Sequence, residues 1–353
     1  MKQQSISLLR IFIFLFVSSF ILSACDNDDT KPSAQIQELF WVKDQGTEMP
    51  VLVSGNKQSE NILLVLHGGP GGSAIDVIHH FMKNDLEKNI LVAYWDQRMA
   101  GLSVNTTIPT SISFEQYALD CKMVIEELNQ RFPDKKIVLW GQSWGGLVVS
   151  QFITEANYQG LYDGWIIVNG ITTNGFDEFK FRRDRLIQLA TGRANNGEQR
   201  WADSLVWMNA LPFNPLEFDN ELDDRYLQLI PELWEIEPDV TDTAYQNSVP
   251  PFFTQQDKVR VEENITNDVN NNIDERIYLY NVDSSIPNIA KNGLLIWGAL
   301  DSTIPIGAAT SFKNKLGDKA RLIIYPNDGH TPWATELNRK NHAAEVIKYM
   351  DTL

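Results

Sequence analysis

The chain has 353 residues, of which 30 are basic and 46 acidic, giving a formal net charge of −16 at pH 7. This acidic excess argues against a nucleic-acid partner and against electrostatic docking on anionic lipid. The composition also argues against a metal site, because the two cysteines and five histidines form no cluster at usable ligand spacing. We therefore expect neither a metal ion nor another cofactor.

The first 24 residues have the pattern of a secretory signal peptide. Lys2 and Arg10 flank a short polar start, and the apolar stretch over residues 11–22 is too short to span a membrane comfortably. Residues 22–25, Leu-Ser-Ala-Cys, resemble a bacterial lipobox, which implies cleavage before Cys25 and attachment of lipid to its thiol. The polar residues that follow make 25–36 a tether.

From this pattern we expect a protein of the bacterial cell envelope, lipid-anchored through Cys25 to a membrane, on its periplasmic or outer face. An ordinary cleaved signal and an uncleaved anchor are the alternatives.

Eight short apolar segments predict β-strands, at residues 39–42, 50–54, 62–67, 90–95, 137–140, 165–168, 294–297 and 322–325. Helical patterns separate most of them, as a doubly wound, mostly parallel sheet requires. One such pattern runs from Phe114 to Leu128 and has Cys121 at an apolar position. We expect Cys121 to be buried and, with Cys25 lipidated, no internal disulfide. The expected fold class is α/β, an eight-stranded sheet flanked by helices.

A glycine-rich loop, His67-Gly68-Gly69-Pro70-Gly71-Gly72, follows the third predicted strand. Glycines allow backbone N–H groups to approach a developing oxyanion closely, which acyl transfer requires. Gly69 is the expected donor, because Pro70 has no N–H. A phosphate-binding loop is the alternative, but the lysine and the spacing of a P-loop are missing. His67 is expected to be a structural residue of this loop.

The segment Gly141-Gln142-Ser143-Trp144-Gly145-Gly146 joins a predicted strand to a predicted helix. A serine in such a turn is the nucleophile elbow, whose flanking glycines are needed because the turn leaves no room for side chains. The following helix N-terminus favours developing negative charge. Ser143 is therefore the predicted nucleophile, and the N–H of Trp144 is the predicted second oxyanion donor.

The alternation of strands and helices stops between residues 168 and 294. This stretch contains amphipathic helix-like pieces at residues 179–189, 201–211 and 225–233, separated by polar, Asn-rich loops. We interpret residues 171–285 as a helical cap inserted over the active site of a core formed by residues 37–170 and 286–353. An independent domain is the weaker alternative, because the piece is short and shows no obvious core of its own.

Two later strand ends supply the partners that a serine nucleophile requires. Asp301 follows the strand at residues 294–297, and His330 follows the strand at residues 322–325. The chain order of serine, acid and histidine, each on a loop after a strand, is that of the α/β-hydrolases. Asp328 is a competing acid, but its position two residues before His330 is more typical of a turn. The sequence predicts a catalytic triad of Ser143, His330 and Asp301.

Together, the loop at 67–72, the tripeptide Asp96-Gln97-Arg98, the turn at 141–145 and Gly329-His330 resemble the proline iminopeptidase (prolyl aminopeptidase) family of α/β-hydrolases. The resemblance covers roughly residues 40–170 and 290–350, on both sides of the predicted cap. Two positions depart from the family pattern. Met99 stands where the family usually has glycine after Asp-Gln-Arg, and Gln142 stands where it commonly has a second glycine before the serine.

The resemblance implies a binding site for the free α-ammonium group of the substrate, which relatives form from cap carboxylates. Between Thr172 and Asp283 the chain has 22 acidic and 10 basic side chains, so an acidic cap fits this need. The candidate carboxylates are Glu178, Glu217, Glu232 and Glu235. A solvated acidic surface is the alternative for each of them.

The function implied by the resemblance is that of a serine aminopeptidase, which releases an N-terminal residue, expected to be proline, from short peptides through an acyl-enzyme. A carboxylesterase or amidase acting on small neutral acyl compounds would use the same machinery without amine-binding carboxylates. A non-enzymatic binding protein is disfavoured, because the predicted triad and the oxyanion glycines are intact. The oligomeric state stays open.

Overall fold

The computed structural model describes residues 34–106, 112–210, 254–265, 273, 277–332 and 335–353. The predicted signal peptide, Cys25 and most of the predicted tether lie outside the described residues, as do Glu217, Glu232 and Glu235. Within the described ranges, no helix is both long and apolar enough to cross a bilayer.

A mixed sheet forms the centre of the described chain. Its nine strands there are β1 (Gln35–Asp44), β2 (Thr47–Asn56), β3 (Asn61–Leu66), β4 (Leu91–Trp95), β5 (Val104–Asn105), β6 (Lys136–Gln142), β7 (Gly164–Val168), β8 (Gly293–Gly298) and β9 (Ala320–Tyr325). In space they follow the order β1-β2-β4-β3-β6-β7-β8-β9, with β5 paired to β2. From β4 to β9 neighbouring strands are parallel, whereas every pair that includes β2 is antiparallel.

All eight predicted strands are present, and the predicted mostly parallel α/β sheet is confirmed. The expected number of strands was too low by one, because β5 also joins the sheet. β5 contains only Val104 and Asn105, which pair with Glu48 and Thr47 of β2. Two residues are too few to show an alternating pattern, so nothing in the sequence indicated this strand.

The inner strands β3, β4, β7 and β8 are buried over their whole length, because helices cover both faces of the sheet. Successive side chains point to opposite faces. In β3, Leu64 and Leu66 therefore join one apolar cluster while Leu63 and Val65 join the other. This double burial explains why the inner strands are continuous apolar runs in the sequence.

The described helices are α1 (His79–Leu86), α2 (Phe114–Arg131), α3 (Trp144–Thr154), α4 (Gly175–Asn195), α5 (Gln199–Ala210), α6 (Gln255–Ile265), α7 (Ile306–Leu316) and α8 (Glu336–Met350). Residues of α2, α3 and α7 belong to the apolar cluster on one face of the sheet, and residues of α1 and α8 belong to the cluster on the other. Cys121 of α2 is fully buried and unpaired, which agrees with its predicted apolar role.

Helices α4 and α5 follow β7, and they include the helical pieces predicted at residues 179–189 and at most of 201–211. The piece predicted at 225–233 lies outside the described residues. The two helices contact each other through an apolar cluster of Phe179, Leu186, Ala190, Trp201 and Met208. This region therefore has a small core of its own, which the sequence pattern did not indicate.

Candidate active site

Ser143 lies in the turn between β6 and α3 and has a left-handed backbone angle, φ +53°. The glycines on either side are required by close contacts. A Cβ on Gly141 would lie 2.3 Å from the carbonyl oxygen of Gly145, and a Cβ on Gly145 would lie 2.1 Å from that of Leu66. The turn therefore forms as the sequence predicts, and it leaves Ser143 partly exposed at the carboxyl edge of the sheet.

Asp301 and His330 lie on the loops after β8 and β9, and they contact each other. His330 Nδ1 donates to Asp301 Oδ2 at 2.9 Å. A carboxylate can only accept, so the proton of the neutral imidazole is on Nδ1, and Nε2 carries the lone pair that a base requires. Asp301 itself is 1% exposed.

Asp328, the competing acid, has other partners. Its two carboxylate oxygens accept from Nδ2 of Asn338 in α8, at 2.6 and 2.8 Å. Its side chain therefore anchors the loop after β9 to α8, while Nδ1 of His330 is bonded to Asp301.

The imidazole of His330 lies beside the serine turn. Its Nε2 accepts from the side-chain Nε2 of Gln142, the residue directly before Ser143, at 3.4 Å. Among the described residues, Ser143 Oγ forms no hydrogen bond with His330. Hydrogen bonds between a nucleophile and its base are often long before substrate binds, so this geometry is compatible with the roles predicted for the two residues.

The glycine loop after β3 packs directly against this turn. A Cβ on Gly68 would lie 3.1 Å from Cβ of Ser143 and 2.5 Å from Oε1 of Gln142. Gly69 has φ +133°, and a Cβ there would lie 2.7 Å from the nitrogen of Gly71. Glycine is required at position 69, and at position 68 it lets Ser143 and Gln142 keep their places, so the loop brings backbone groups to Ser143 that a bulkier sequence would keep away.

Gln97, on the loop after β4, connects the glycine loop to the nucleophile helix. Its backbone N–H donates to His67 Nε2 and its side-chain Nε2 donates to the carbonyl of His67, both at 3.1 Å. Its Oε1 accepts from the indole Nε1 of Trp144 at 2.9 Å. Gln97 is fully buried. The sequence resemblance included this residue but did not indicate what it contacts.

His67 is a structural residue of the loop, as expected. Burial lowers its pKa to about 4, so the ring is neutral at physiological pH. Because Nε2 accepts from Gln97, the proton lies on Nδ1, which donates to the carbonyl of Gly68 at 2.7 Å.

Asp96 and Met99, on the same loop as Gln97, show how this loop is held. The carboxylate of Asp96 accepts from Ser73 Oγ and from the backbone N–H groups of Ala74 and Leu102, among others. Met99 has φ +57°, a left-handed angle that explains why glycine is usual at this position. The loop therefore makes a left-handed turn at Met99.

Of the four candidate cap carboxylates, the structure describes Glu178, in the first turn of α4. Its Oε1 accepts from the backbone N–H and from Oγ1 of Thr172, at 2.5 and 2.8 Å. Its Oε2 is buried and has no hydrogen-bond partner in the described part of the chain. Burial raises the pKa of Glu178 to about 8, and the charge of Asp301 acts in the same direction.

Asn169, directly after β7, is a site residue that the sequence analysis missed. It is fully buried, and its side chain contacts the loops that carry Asp301 and His330. The available signal was a polar residue at the carboxyl end of a parallel strand, where open sheets collect functional groups.

Comparison with known proteins agrees with this architecture. Residues 57–178 match the serine aminopeptidase, S33, family. A probable aminopeptidase of Bacillus subtilis, YbaC, is 23% identical over 302 residues, which cover 82% of this chain and 89% of the relative.

Solved structures with the same fold include peptidases and esterases. A proline iminopeptidase of Mycobacterium smegmatis has a TM-score of 0.56 at 17% identity and covers 89% of this chain and 98% of its own. An esterase of Rhodococcus, RhEst1, has a TM-score of 0.55 at 16% identity and covers 91% and 99%. The chain is a serine hydrolase with the α/β-hydrolase fold.

Proposed function

We propose that this serine hydrolase is an aminopeptidase that releases an N-terminal residue, expected to be proline, from short peptides. The observation that carries the proposal is the hydrogen bond from His330 Nδ1 to Asp301 Oδ2, with the imidazole lying against the turn that presents Ser143. The family matched by residues 57–178 and the aminopeptidase of Bacillus subtilis support the same reaction class.

In the proposed reaction, Ser143 Oγ attacks the carbonyl carbon of the first peptide bond and passes its proton to His330 Nε2. Asp301 stabilises the imidazolium that forms, through the bond at Nδ1. The N–H groups of Gly69 and Trp144 stabilise the oxyanion. The intermediate then collapses, the proton on Nε2 moves to the leaving amine, and an acyl-enzyme remains on Ser143.

Water completes the cycle. His330 Nε2 takes a proton from a water molecule that attacks the acyl carbonyl, and the same two N–H groups stabilise the second oxyanion. The proton then returns to Ser143 Oγ as the C–O bond breaks, which releases the free amino acid.

Recognition of the free amine is assigned to carboxylates after β7, with Glu178 as the candidate that the structure describes. Its buried Oε2 has no hydrogen-bond partner among the described residues, so a bound ammonium group would satisfy it. Binding of a cation would also favour the ionised form of a carboxyl whose pKa burial has raised to about 8. Glu217, Glu232 and Glu235 stay candidates for the same role.

A carboxylesterase or amidase acting on small neutral acyl compounds is the second candidate. The burial of Glu178 favours it, because a carboxyl with a pKa of about 8 is largely uncharged at pH 7 and offers little attraction to an amine. The esterase from Rhodococcus has the same fold.

The test compares hydrolysis of prolyl-4-nitroanilide, its N-acetylated form and a short 4-nitrophenyl ester by a soluble form that starts after Cys25. Cleavage of the free amine alone supports the aminopeptidase, and Glu178→Gln should then raise KM for this substrate at least tenfold while ester hydrolysis is retained. Turnover of the ester with neither anilide cleaved would replace the aminopeptidase with the esterase.

We also propose that the protein is lipid-anchored in the bacterial cell envelope through Cys25. The support is the sequence alone: a signal peptide over residues 1–24 that ends in Leu-Ser-Ala-Cys. Labelling of the wild type with an alkyne fatty acid in a bacterial host, and its loss in Cys25→Ser, is the expected result. Equal labelling of both would contradict the assignment.

A further inference from the structure

The side chain of Asn169 connects the loops after three neighbouring strands. Asn169 follows β7, and its Nδ2 donates to Asp301 Oδ2 at 2.5 Å and to the carbonyl of Gly329 at 3.2 Å. Its Oδ1 accepts from the backbone N–H of Gly298 at 3.2 Å. Gly298 is the last residue of β8 and Asp301 lies on the loop after it, while Gly329 directly precedes His330. One amide therefore contacts both Asp301 and the loop that carries His330.

The orientation of this amide follows from its partners. Gly298 offers a backbone N–H, which can bond only to the oxygen, and Asp301 and Gly329 offer acceptors, which require the NH₂ group. The donor is therefore directed at Oδ2 of Asp301, the same oxygen that accepts from His330.

Asp301 accepts four hydrogen bonds, two on each carboxylate oxygen. Oδ1 accepts from the backbone N–H groups of Thr303 and Ile304, at 2.8 and 2.9 Å. Oδ2 accepts from the side chains of Asn169 and His330. These donors provide hydrogen bonds to both oxygens of a side chain that is 1% exposed, and they fix the rotamer that directs Oδ2 toward the imidazole.

The backbone angle at position 169 limits which residues can be accommodated there. Asn169 has φ +43°, a left-handed angle that asparagine, aspartate and glycine tolerate best. Glycine would bring no donor, and aspartate would place a second carboxylate against Asp301. Asparagine is the residue that combines this backbone angle with both a donor and an acceptor.

We propose that Asn169 is a positioning residue of the catalytic centre, which holds Asp301 and the loop of His330 in the geometry that makes Nε2 a base. This inference rests on the proposed roles of Ser143, His330 and Asp301. A purely structural Asn169 would affect stability but not the ionisation of His330.

The experiment measures kcat, KM and the pH profile of kcat/KM on the best substrate for Asn169→Asp, Asn169→Gly and the control Gln45→Gly. Gln45 has φ +45° in the exposed β1–β2 turn, so its replacement repeats the backbone change away from the triad. Melting temperature and circular dichroism establish folding of each variant.

For Asn169→Asp we expect kcat to fall about 100-fold or more with KM within about threefold, because transition-state geometry is lost while substrate binding is kept. The acidic limb of the profile should move up by about one pH unit, since the added carboxylate favours the imidazolium form of His330. Asn169→Gly should lower kcat with a smaller shift, and Gln45→Gly should change neither. If Asn169→Asp does not fold, Asn169→Gly decides the question, because glycine suits the backbone angle.

A fluorophosphonate probe separates failure of this inference from failure of the proposed function. Labelling of the wild type but not of Ser143→Ala establishes the nucleophile. If the folded Asn169 variants then label at the wild-type rate with an unchanged pH profile, the positioning role is wrong. If the wild type is not labelled, the proposed function itself is wrong.

Discussion

At the scale of single residues, unusual backbone angles concentrate at the candidate active site. Of the four non-glycine residues with left-handed angles in the described chain, Ser143, Asn169 and Met99 border this site, and Gln45 lies in an exposed hairpin turn. Such an angle costs roughly 1–2 kcal/mol for a residue with a side chain. It persists only where the surrounding contacts determine it, so the loops around Ser143 are held rigidly.

Replacement of the nucleophile tests the reaction most directly. Ser143→Ala should lower kcat by several orders of magnitude, because no covalent intermediate can form, while the fold is unchanged. Ser150→Ala, a buried serine further along α3, is the matched control and should keep activity. Turnover by Ser143→Ala close to that of the wild type would remove Ser143 from the mechanism.

Gly69→Ala tests the oxyanion loop. The added Cβ would lie 2.7 Å from the nitrogen of Gly71 at φ +133°, so the loop must move and its N–H can no longer reach the oxyanion. Loss of one oxyanion donor lowers kcat by about 10²–10³-fold. Gly197→Ala adds a Cβ at φ +90° with no atom nearby and should leave kcat unchanged. Equal kcat in the two variants would exclude Gly69 from the oxyanion site.

At the scale of elements, the glycine loop after β3, the loop after β4 and the helix α3 form one unit through Gln97. This side chain bonds to His67 of the first and to Trp144 of the last. A single buried amide therefore connects the loop that contains Gly69 to Trp144, the two places expected to supply the oxyanion donors.

Gln97→Met should disturb this unit without a large change in volume. The indole of Trp144 and the carbonyl of His67 would lose their partners in a buried site, which costs about 1–3 kcal/mol of unfolding free energy. We also expect kcat to fall about 10- to 100-fold through misplaced donors, measured together with urea unfolding. Gln151→Met is the control, since the amide of Gln151 bonds to Glu155, directly after α3 and away from Gln97. An unchanged kcat in a destabilised Gln97→Met would restrict Gln97 to stability.

The sequence predicted the elements with local signals and missed the contacts between them. Apolar runs located the eight longer strands, and glycines whose added Cβ would clash located the turn at Ser143. The placement of Asp301 and His330 at strand ends came from the same patterns. The roles of Asn169 and Gln97 depend on loops far apart in the chain, and the burial of Glu178 depends on how α4 packs. No periodicity or motif contains that information.

At the scale of the whole molecule, buried titratable groups lower the stability of the fold both when the pH falls and when it rises. Burial lowers the pKa of His67 to about 4 and that of His342 to about 3, from 6.5. The unfolded chain takes up these protons first, so stability is lost as the pH falls below 6.5. Burial raises the pKa of Asp96 to about 6 and that of Glu178 to about 8, which acts in the opposite direction.

Above pH 6.5, Glu178 is the main one of these four groups that still titrates. Its folded pKa of about 8 exceeds the ordinary value of 4.5, so the stability it contributes is lost as the pH rises through 8. We expect the melting temperature of the wild type to fall between pH 6.5 and 9, and that of Glu178→Gln to fall less. Calorimetry at several pH values measures this. Parallel curves for the two proteins would show that Glu178 is not the titrating group.

The contact between Asn169 and Asp301 joins positions 132 residues apart in the chain. Closing so long a loop costs conformational entropy before the contact forms. Contacts between positions this far apart therefore form late in folding. A partly folded chain can therefore pair β4, β3, β6 and β7 and form the serine turn before β8 joins the sheet, and so without having a working base. Newly made enzyme would stay inert until the whole intervening region has closed.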